Sequence, residues 1–204
     1  DQVFEALRLV VMRHRIPPRH PLELIRGFEM DVDERVYHTL ADTRDYCYHV
    51  AGVVGVMMAM IMGSRDETVL DRASDLGIAC QLTNIARDIV DDARAGRMYL
   101  PLQWVQEKGL ESLDPEDRGQ WGKLHELAVR LLDDAEPHYA SAQAGIAALP
   151  RRSAWAIAAA NRVYRDIGSK LRNRGPAAWE KRIHTSNARK CVLLAQSVGD
   201  VIIS

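Results

Sequence analysis

The chain has 204 residues, 47% of them hydrophobic and 27% charged, with a formal net charge of −1. That length suits one large domain able to bury about 70% of the surface its unfolded chain exposes, and the balanced charge leaves no global field for nucleic acid, which is not expected as a partner. Cys47, Cys80 and Cys191 are widely spaced, with no C-x-x-C and no Cys/His cluster, which argues against a disulfide framework or a zinc site and for a reducing, cytoplasmic compartment.

In chain order the pattern is helical nearly throughout. The chain opens at Asp1 without a methionine and directly in a helical pattern, with no signal-peptide organisation, so the N-terminus is expected to be a cut one. Residues 3–15 carry apolar side chains at Val3, Leu7, Val10 and Val11 and stop at Pro17-Pro18; residues 21–30 give a second short amphipathic helix. A long helix is predicted from a cap at Asp42 to about Met62. Its apolar run, residues 50–63, holds 14 residues with three glycines, short of the roughly 20 that a membrane span needs. The next helix is predicted to start at a capping box, Ser64-Arg-Asp-Glu67, and to reach Ala95, stopped by Gly96. A short helix ends at Lys108-Gly109. Asp114-Pro115 opens a further helix with Leu124, Leu127, Leu131 and Leu132 on one face and an expected kink at Pro137. Residues 150–171, then residues 187–203 after a Thr185-Ser186 cap, complete the set. With no strand-period segment, internal repeat or linker, residues 1–204 read as a single all-α domain.

Two segments carry chemistry. In Gln81-Leu-Thr-Asn84-Ile-Ala-Arg87-Asp88-Ile-Val-Asp91-Asp92, the helical pitch places Gln81, Asn84, Asp88 and Asp92 within an arc of roughly 80°. Aspartates one turn apart repel unless a cation lies between them, and hard oxygen donors suit Mg²⁺ shared with substrate phosphate. The bland alternative is a solvated acidic helix end. Interleaved Ile85, Ala86, Ile89 and Val90 argue against it. In Tyr46-Cys-Tyr48-His-Val-Ala51-Gly52-Val-Val-Gly55, Tyr48, Ala51, Gly52, Gly55 and Ala59 form a stripe that admits either a close helix or a ligand chain. Met57, Met58, Met60 and Met62 serve equally as core filler or tunnel lining. The seven histidines are scattered, and His49 reads as a packing residue. No hydrolase triad ordering, phosphate loop or dinucleotide fingerprint occurs.

These two segments, with Gly96-Arg97-Met-Tyr-Leu-Pro101, resemble the squalene/phytoene synthase family of head-to-head prenyl transferases, and within it the bacterial phytoene synthases. The resemblance covers essentially the whole chain. It implies an all-α helical bundle of the isoprenoid synthase type, lacking its N-terminal helices, and Mg²⁺-dependent condensation of two geranylgeranyl diphosphates to phytoene through a cyclopropyl diphosphate. Asp88 and Asp92 inherit the metal-binding role, supported by Asn84, with Mn²⁺ as the alternative ion. Gln81, Asn84, Arg87 and Arg97 are implied to support the diphosphate, Tyr48 to sit at the reacting centre, and Tyr164 and Arg182 to lie near the diphosphates. The alternatives are a squalene or C30 dehydrosqualene synthase, and a non-catalytic member acting as an interaction module.

One departure stands out. The family faces two aspartate-rich motifs across the bundle, and the first would precede Asp1. The other D-x-x-x-D, Asp71-Arg-Ala-Ser-Asp75, lies roughly 100° away from Asp88 on the same helix and reads as surface. Apolar surface left uncovered favours self-association. The basic tail, from Arg162 through Lys190, with a lipid substrate and product, suggests peripheral contact with an anionic membrane.

Overall fold

In a computed structural model of the protein, which describes residues 2–203, the chain is helical and no strand occurs among the described residues. Two short helices, α1 (Gln2–Arg13) and α2 (Arg19–Val32), come first. A continuous helical run follows: α3 (Leu40–Cys47), a π-helical segment over Tyr48–Gly52, and α4 (Val53–Ile61). Its cap lies one turn before the expected Asp42. Thr39 and Asp42 form a reciprocal capping box, with the Asp42 carboxylate accepting from the Thr39 amide at 2.8 Å.

The long central helix α5 (Glu67–Arg94) starts at Asp66 rather than at the expected Ser64. The Asp66 carboxylate accepts from the Val69 amide at 3.2 Å, while Arg65 ties the preceding turn by donating to the Met60 carbonyl at 2.8 Å. Gly96, at φ +73°, ends the helix as its sequence position indicates. After α6 (Leu102–Glu107), the expected helix at Asp114 is delayed to α7 (Trp121–Gly145). Asp114 and Asp117 instead accept from the amides of Glu116 (3.0 Å) and Gly119 (2.8 Å), local turns that compete with helix. Pro137 lies inside α7, which continues through it. Then come α8 (Arg151–Arg174) and α9 (Asn187–Ile203).

α5 is the axis of the molecule, and its packing is set by small side chains and by pairs of polar ones. A Cβ on Gly55 would lie 2.1 Å from the Ala73 carbonyl oxygen, and one on Gly77 would lie 2.2 Å from that of Ala51. The glycine stripe therefore serves backbone-to-backbone contact between α4 and α5. On the other side, Leu82, Ile85, Ala86, Ile89 and Val90 of α5 are buried in one cluster with Leu124, Leu127, Ala128 and Leu131 of α7, each large side chain contributing about 1.5–3 kcal/mol. Thr83 and Tyr139 share a buried hydroxyl hydrogen bond of 2.7 Å. Asp75, expected on the surface, instead pins α5 to α7: its carboxylate meets His138 at 2.7 Å and Ser141 at 2.5 Å. Asp71 is exposed.

Helices α1 and α2 differ from the rest. No residue of α1 is buried. Val3, Phe4, Leu7, Leu22, Ile25 and Phe28 are exposed, more apolar exposure than the rest of the bundle shows.

Candidate active site

The C-terminal half of α5 presents its polar face as the helical spacing requires. The Asn84 amide donates to Gln81 Oε1 at 3.3 Å. One turn on, Asp88 accepts from Arg87 Nε at 2.8 Å and again from Arg87 Nη2. Arg182 reaches the same carboxylate from the far end of the chain, with Nη2 3.1 Å from Asp88 Oδ2. That approach is held by Trp179, whose indole N–H donates to the Arg87 carbonyl at 2.9 Å. Tyr164 of α8 is near enough to act electrostatically on Arg87. The structure thus gathers Gln81, Asn84, Arg87, Asp88, Asp92, Tyr164 and Arg182 along one end of the bundle. Arg97 follows the Gly96 turn with its charge felt at Asp92, whereas Asp91 points outward to Arg94 at 3.1 Å.

The two aspartates differ electrostatically. Burial would raise the Asp88 carboxyl, but the hydrogen bonds from Arg87 and Arg182 outweigh it and hold it below the usual range. Burial, then the neighbouring charge of Asp88, push the Asp92 carboxyl up to about 6 against the pull of Arg97. A carboxylate pair with one member strained as an anion is relieved by a cation, and with the Asn84 and Gln81 oxygens it offers the hard donors that Mg²⁺ takes. No three carboxylate, histidine or cysteine side chains converge among the described residues. The donors present, two carboxylates and two side-chain amides, are of the hard-oxygen kind but do not by themselves make a complete metal shell.

Sequence reading missed a tyrosine cluster at this end. Tyr46 and Tyr99 stack with ring centroids 4.7 Å apart, and both hydroxyls donate to Asp31 Oδ1, at 3.1 and 2.8 Å. Tyr37 packs against both rings. Burial raises both the Tyr46 and Tyr99 phenols above their ordinary value, so they stay protonated donors. Arg97 shares a polar pocket with Asp31, Tyr37 and Tyr99. Tyr46 was visible two residues before Tyr48, but Asp31 lies 15 residues upstream in an unremarkable helix and gave no local signal. Tyr48 itself lines a cleft with Arg19, His20, Glu23, Glu67, Asp71 and Ser74.

The N-terminal half of α5 faces an apolar cavity of about 220 Å³. Ala73, Leu76, Gly77 and Cys80 of α5 line it together with Ala51, Val54, Met58 and Met62, and with Ala142, Leu149 and Ile157 across from them. Gly77 lies one turn before Gln81 on the same side of the helix, and Cys80 flanks it, so the cavity borders the polar face along one edge. Burial pushes the Cys80 thiol up to about 12, leaving it an apolar, inert lining group.

Sequence comparison bears on this arrangement. The family model described as squalene/phytoene synthase matches residues 1–189. The 15-cis-phytoene synthase of Enterobacter agglomerans is 54% identical over 207 residues, covering 100% of this chain and 69% of the relative. The phytoene synthase of Pseudescherichia vulneris is 52% identical over 202 residues, 99% of this chain and 65% of its own length. The chain thus spans about two thirds of the length of such relatives. A crystal structure of a dehydrosqualene synthase in complex with a ligand superposes with a TM-score of 0.90 at 26% identity, covering 100% of this chain and 72% of that one. An all-α fold with an oxygen-rich helix face, matched over residues 1–189 by that family model, places the chain in the squalene/phytoene synthase family.

Proposed function

We propose that the protein catalyses Mg²⁺-dependent head-to-head condensation of two geranylgeranyl diphosphates to phytoene. The observation that carries this reading is α5, whose C-terminal half aligns the Gln81–Asn84–Asp88–Asp92 oxygens and whose preceding turns line an apolar cavity: a charged head and a long apolar tail both find partners along it. When bound, Mg²⁺, or Mn²⁺ in its place, neutralises the departing diphosphate. Arg87, Arg97 and Arg182 bind its oxygens, and Asp88, Asp92 and Asn84 hold the ion.

The first allylic diphosphate leaves; the double bond of the second substrate attacks the cation and a proton is lost as the cyclopropane closes. A second diphosphate departure, rearrangement and a second proton loss give the product, with no reductant. Because water quenches such cations, Val54, Leu76, Met58 and their neighbours serve by excluding it. Among the phenols, Tyr46 and Tyr99, held by Asp31, flank the diphosphate end beside Arg97, and Tyr48 serves at the reacting centre. Tyr164 borders the same end.

Incubation with Mg²⁺ and C20 diphosphate should release inorganic pyrophosphate and a C40 hydrocarbon, and chelation should stop it. Preference for C15 diphosphate would instead favour the squalene or dehydrosqualene reading, to which the ligand-bound structural neighbour lends weight. Release of no pyrophosphate from either substrate would favour a non-catalytic interaction module. The exposed apolar rows of α1 and α2 support self-association, which sedimentation velocity over a concentration range tests. Peripheral membrane contact has weaker support. Much of the basic tail is paired internally, Arg162 with Asp200, Arg165 with Glu136, Arg172 with Asp133, and Lys170 and Arg189 with Asp166. No helix among the described residues is long and apolar enough to cross a membrane. Flotation with anionic vesicles decides the point.

A further inference from the structure

Resting on the diphosphate reading of Arg182, we propose that Asp166 is a positioning residue: it anchors residues 175–186 as a strap that delivers the Arg182 guanidinium to Asp88 and to a diphosphate bound there. The strap joins α8 to α9. It begins as a 3₁₀ turn over Gly175–Trp179, and from Arg182 to Ser186 it takes neither helix nor strand, so no helical ladder sets where Arg182 stands. The Arg182 side chain is 64% accessible where its Nη2 meets Asp88 Oδ2 at 3.1 Å. An ion pair this exposed contributes less than the conformational entropy of ordering even a few residues of the backbone that carries it. Other contacts must therefore fix that backbone.

They lie on both sides of Arg182. Upstream, the Trp179 indole holds the Arg87 carbonyl at 2.9 Å and Arg174 donates to the Lys181 carbonyl at 3.1 Å. Ile183, next along the chain, is buried in the main core. Downstream the ties converge on Asp166, a buried carboxylate of α8. It accepts from the Thr185 hydroxyl at 3.0 Å and from Arg189 Nε at 2.9 Å, and it pairs with Lys170 Nζ at 2.6 Å. Lys170 in turn donates to the His184 carbonyl at 3.3 Å. Both residues that follow Ile183 are thus tied through one carboxylate. Burial would raise that carboxyl, but the hydrogen bonds from Lys170, Arg189 and Thr185 outweigh it and keep it an anion. Asp166 comes two positions after Tyr164, roughly 200° round α8. Its carboxylate therefore faces away from the side on which Tyr164 acts at Arg87, and it reaches the diphosphate end only through the strap.

The experiment measures by calorimetry the Kd of geranylgeranyl thiolodiphosphate in Mg²⁺ buffer for the protein, Asp166→Ala, Arg182→Ala and the double variant. Asp200→Ala is the control, because it removes the other α8–α9 ion pair, Arg162 with Asp200, and leaves the strap alone. Hydrogen exchange follows the amides of residues 180–186 without ligand, and thermal melting checks folding. Arg182→Ala should weaken binding by about tenfold, Asp166→Ala by most of that factor, and the double variant by no more than Arg182→Ala alone. Deleting a negative charge would by itself favour an anion, so weaker binding has the sign of a lost position and not of a changed field. Exchange across residues 180–186 should rise in Asp166→Ala and stay level in Asp200→Ala, whose Kd should hold within about twofold. Losses that multiply in the double variant, an unchanged Kd in Asp166→Ala, or an equal loss in Asp200→Ala would overturn the assignment. Should Asp166→Ala fail to fold, Thr185→Val, which removes one tie at nearly constant volume, carries the same cycle with Arg182→Ala. Failure of the unaltered protein to bind the thiolodiphosphate would strike the diphosphate reading and this inference with it, whereas unaltered exchange in Asp166→Ala would strike the anchor alone.

Discussion

The two halves of α5 solve opposite problems along one helix. Toward its C-terminus, Gln81, Asn84, Asp88 and Asp92 line up oxygen atoms, and arginines from the same helix and from the distant Arg182 balance their charge. Toward its N-terminus, Gly77 continues that face, and Ala73, Leu76 and Cys80 on its flank border an apolar cavity. The difference teaches that one helix can carry a polar row and an apolar lining end to end, because its pitch fixes the azimuth of every side chain along it. What changes along it is only side-chain chemistry.

That contrast can be broken most severely at its charged end. Asp88→Asn or Asp92→Asn should lower Mg²⁺-dependent turnover by about 10²–10³-fold or more, since one charged contact to the developing anion is lost, while the melting temperature moves little. Unchanged pyrophosphate release in both variants would remove the metal assignment. At the apolar end the largest effect should fall on stability. Gly77→Val places carbon atoms on the Ala51 carbonyl, where even a Cβ would sit at 2.2 Å, and should cost about 3 kcal/mol. For a chain of this size that is roughly 6–12 °C in melting temperature, readable by circular dichroism; a shift under a degree would show that the α4–α5 contact is not tight.

Asp31 tests whether the tyrosines belong to the charged end. Asp31→Ala leaves the Tyr46 and Tyr99 hydroxyls without their shared acceptor and should destabilise by about 1–2 kcal/mol. If the cluster also positions Arg97, kcat should fall with Asp31→Ala and recover in part with Asp31→Asn, which keeps an acceptor oxygen. Equal kcat in all three would confine Asp31 to structure.

The smallest expected effect is a pH dependence of metal-free stability. The folded-state pKa of Asp92 is raised to about 6, so the folded state holds this proton more tightly than the unfolded chain. Its contribution favours folding below about pH 4 and is lost as pH rises toward 6, worth about 1 kcal/mol once solvent screening is allowed for. Asp88 acts in the opposite sense. Held below its ordinary value, it stabilises above that value and loses the effect as pH falls through its folded pKa. Asp92→Asn should flatten the melting curve between pH 4 and 6, and Mg²⁺ should stabilise the unaltered protein more at pH 7 than at pH 5. A pH profile indifferent to Asp92→Asn would place that carboxylate in water.

Much of this architecture was legible in the sequence because helical periodicity is local. The α5 face, its end at Gly96 and the approximate bounds of α8 follow from spacing and punctuation alone. The errors were local competitions. Asp66 outcompeted Ser64 as a cap, and Asp114 and Asp117 closed turns on their own backbone amides instead of starting α7. The glycine stripe read equally as ligand gap or helix contact, and only the neighbouring helix decided it.

By itself the sequence determined which side chains of α5 share an azimuth, hence the row of oxygen donors, since covalent spacing and helical pitch leave little freedom. Tertiary structure decided what meets that row: Arg182 brought from 94 residues away to Asp88, Asp31 brought under Tyr46 and Tyr99, and Asp75 turned from solvent to His138. Those outcomes depend on helix crossings, where volume and close approach between residues distant in sequence set the geometry, and no local pattern encodes them.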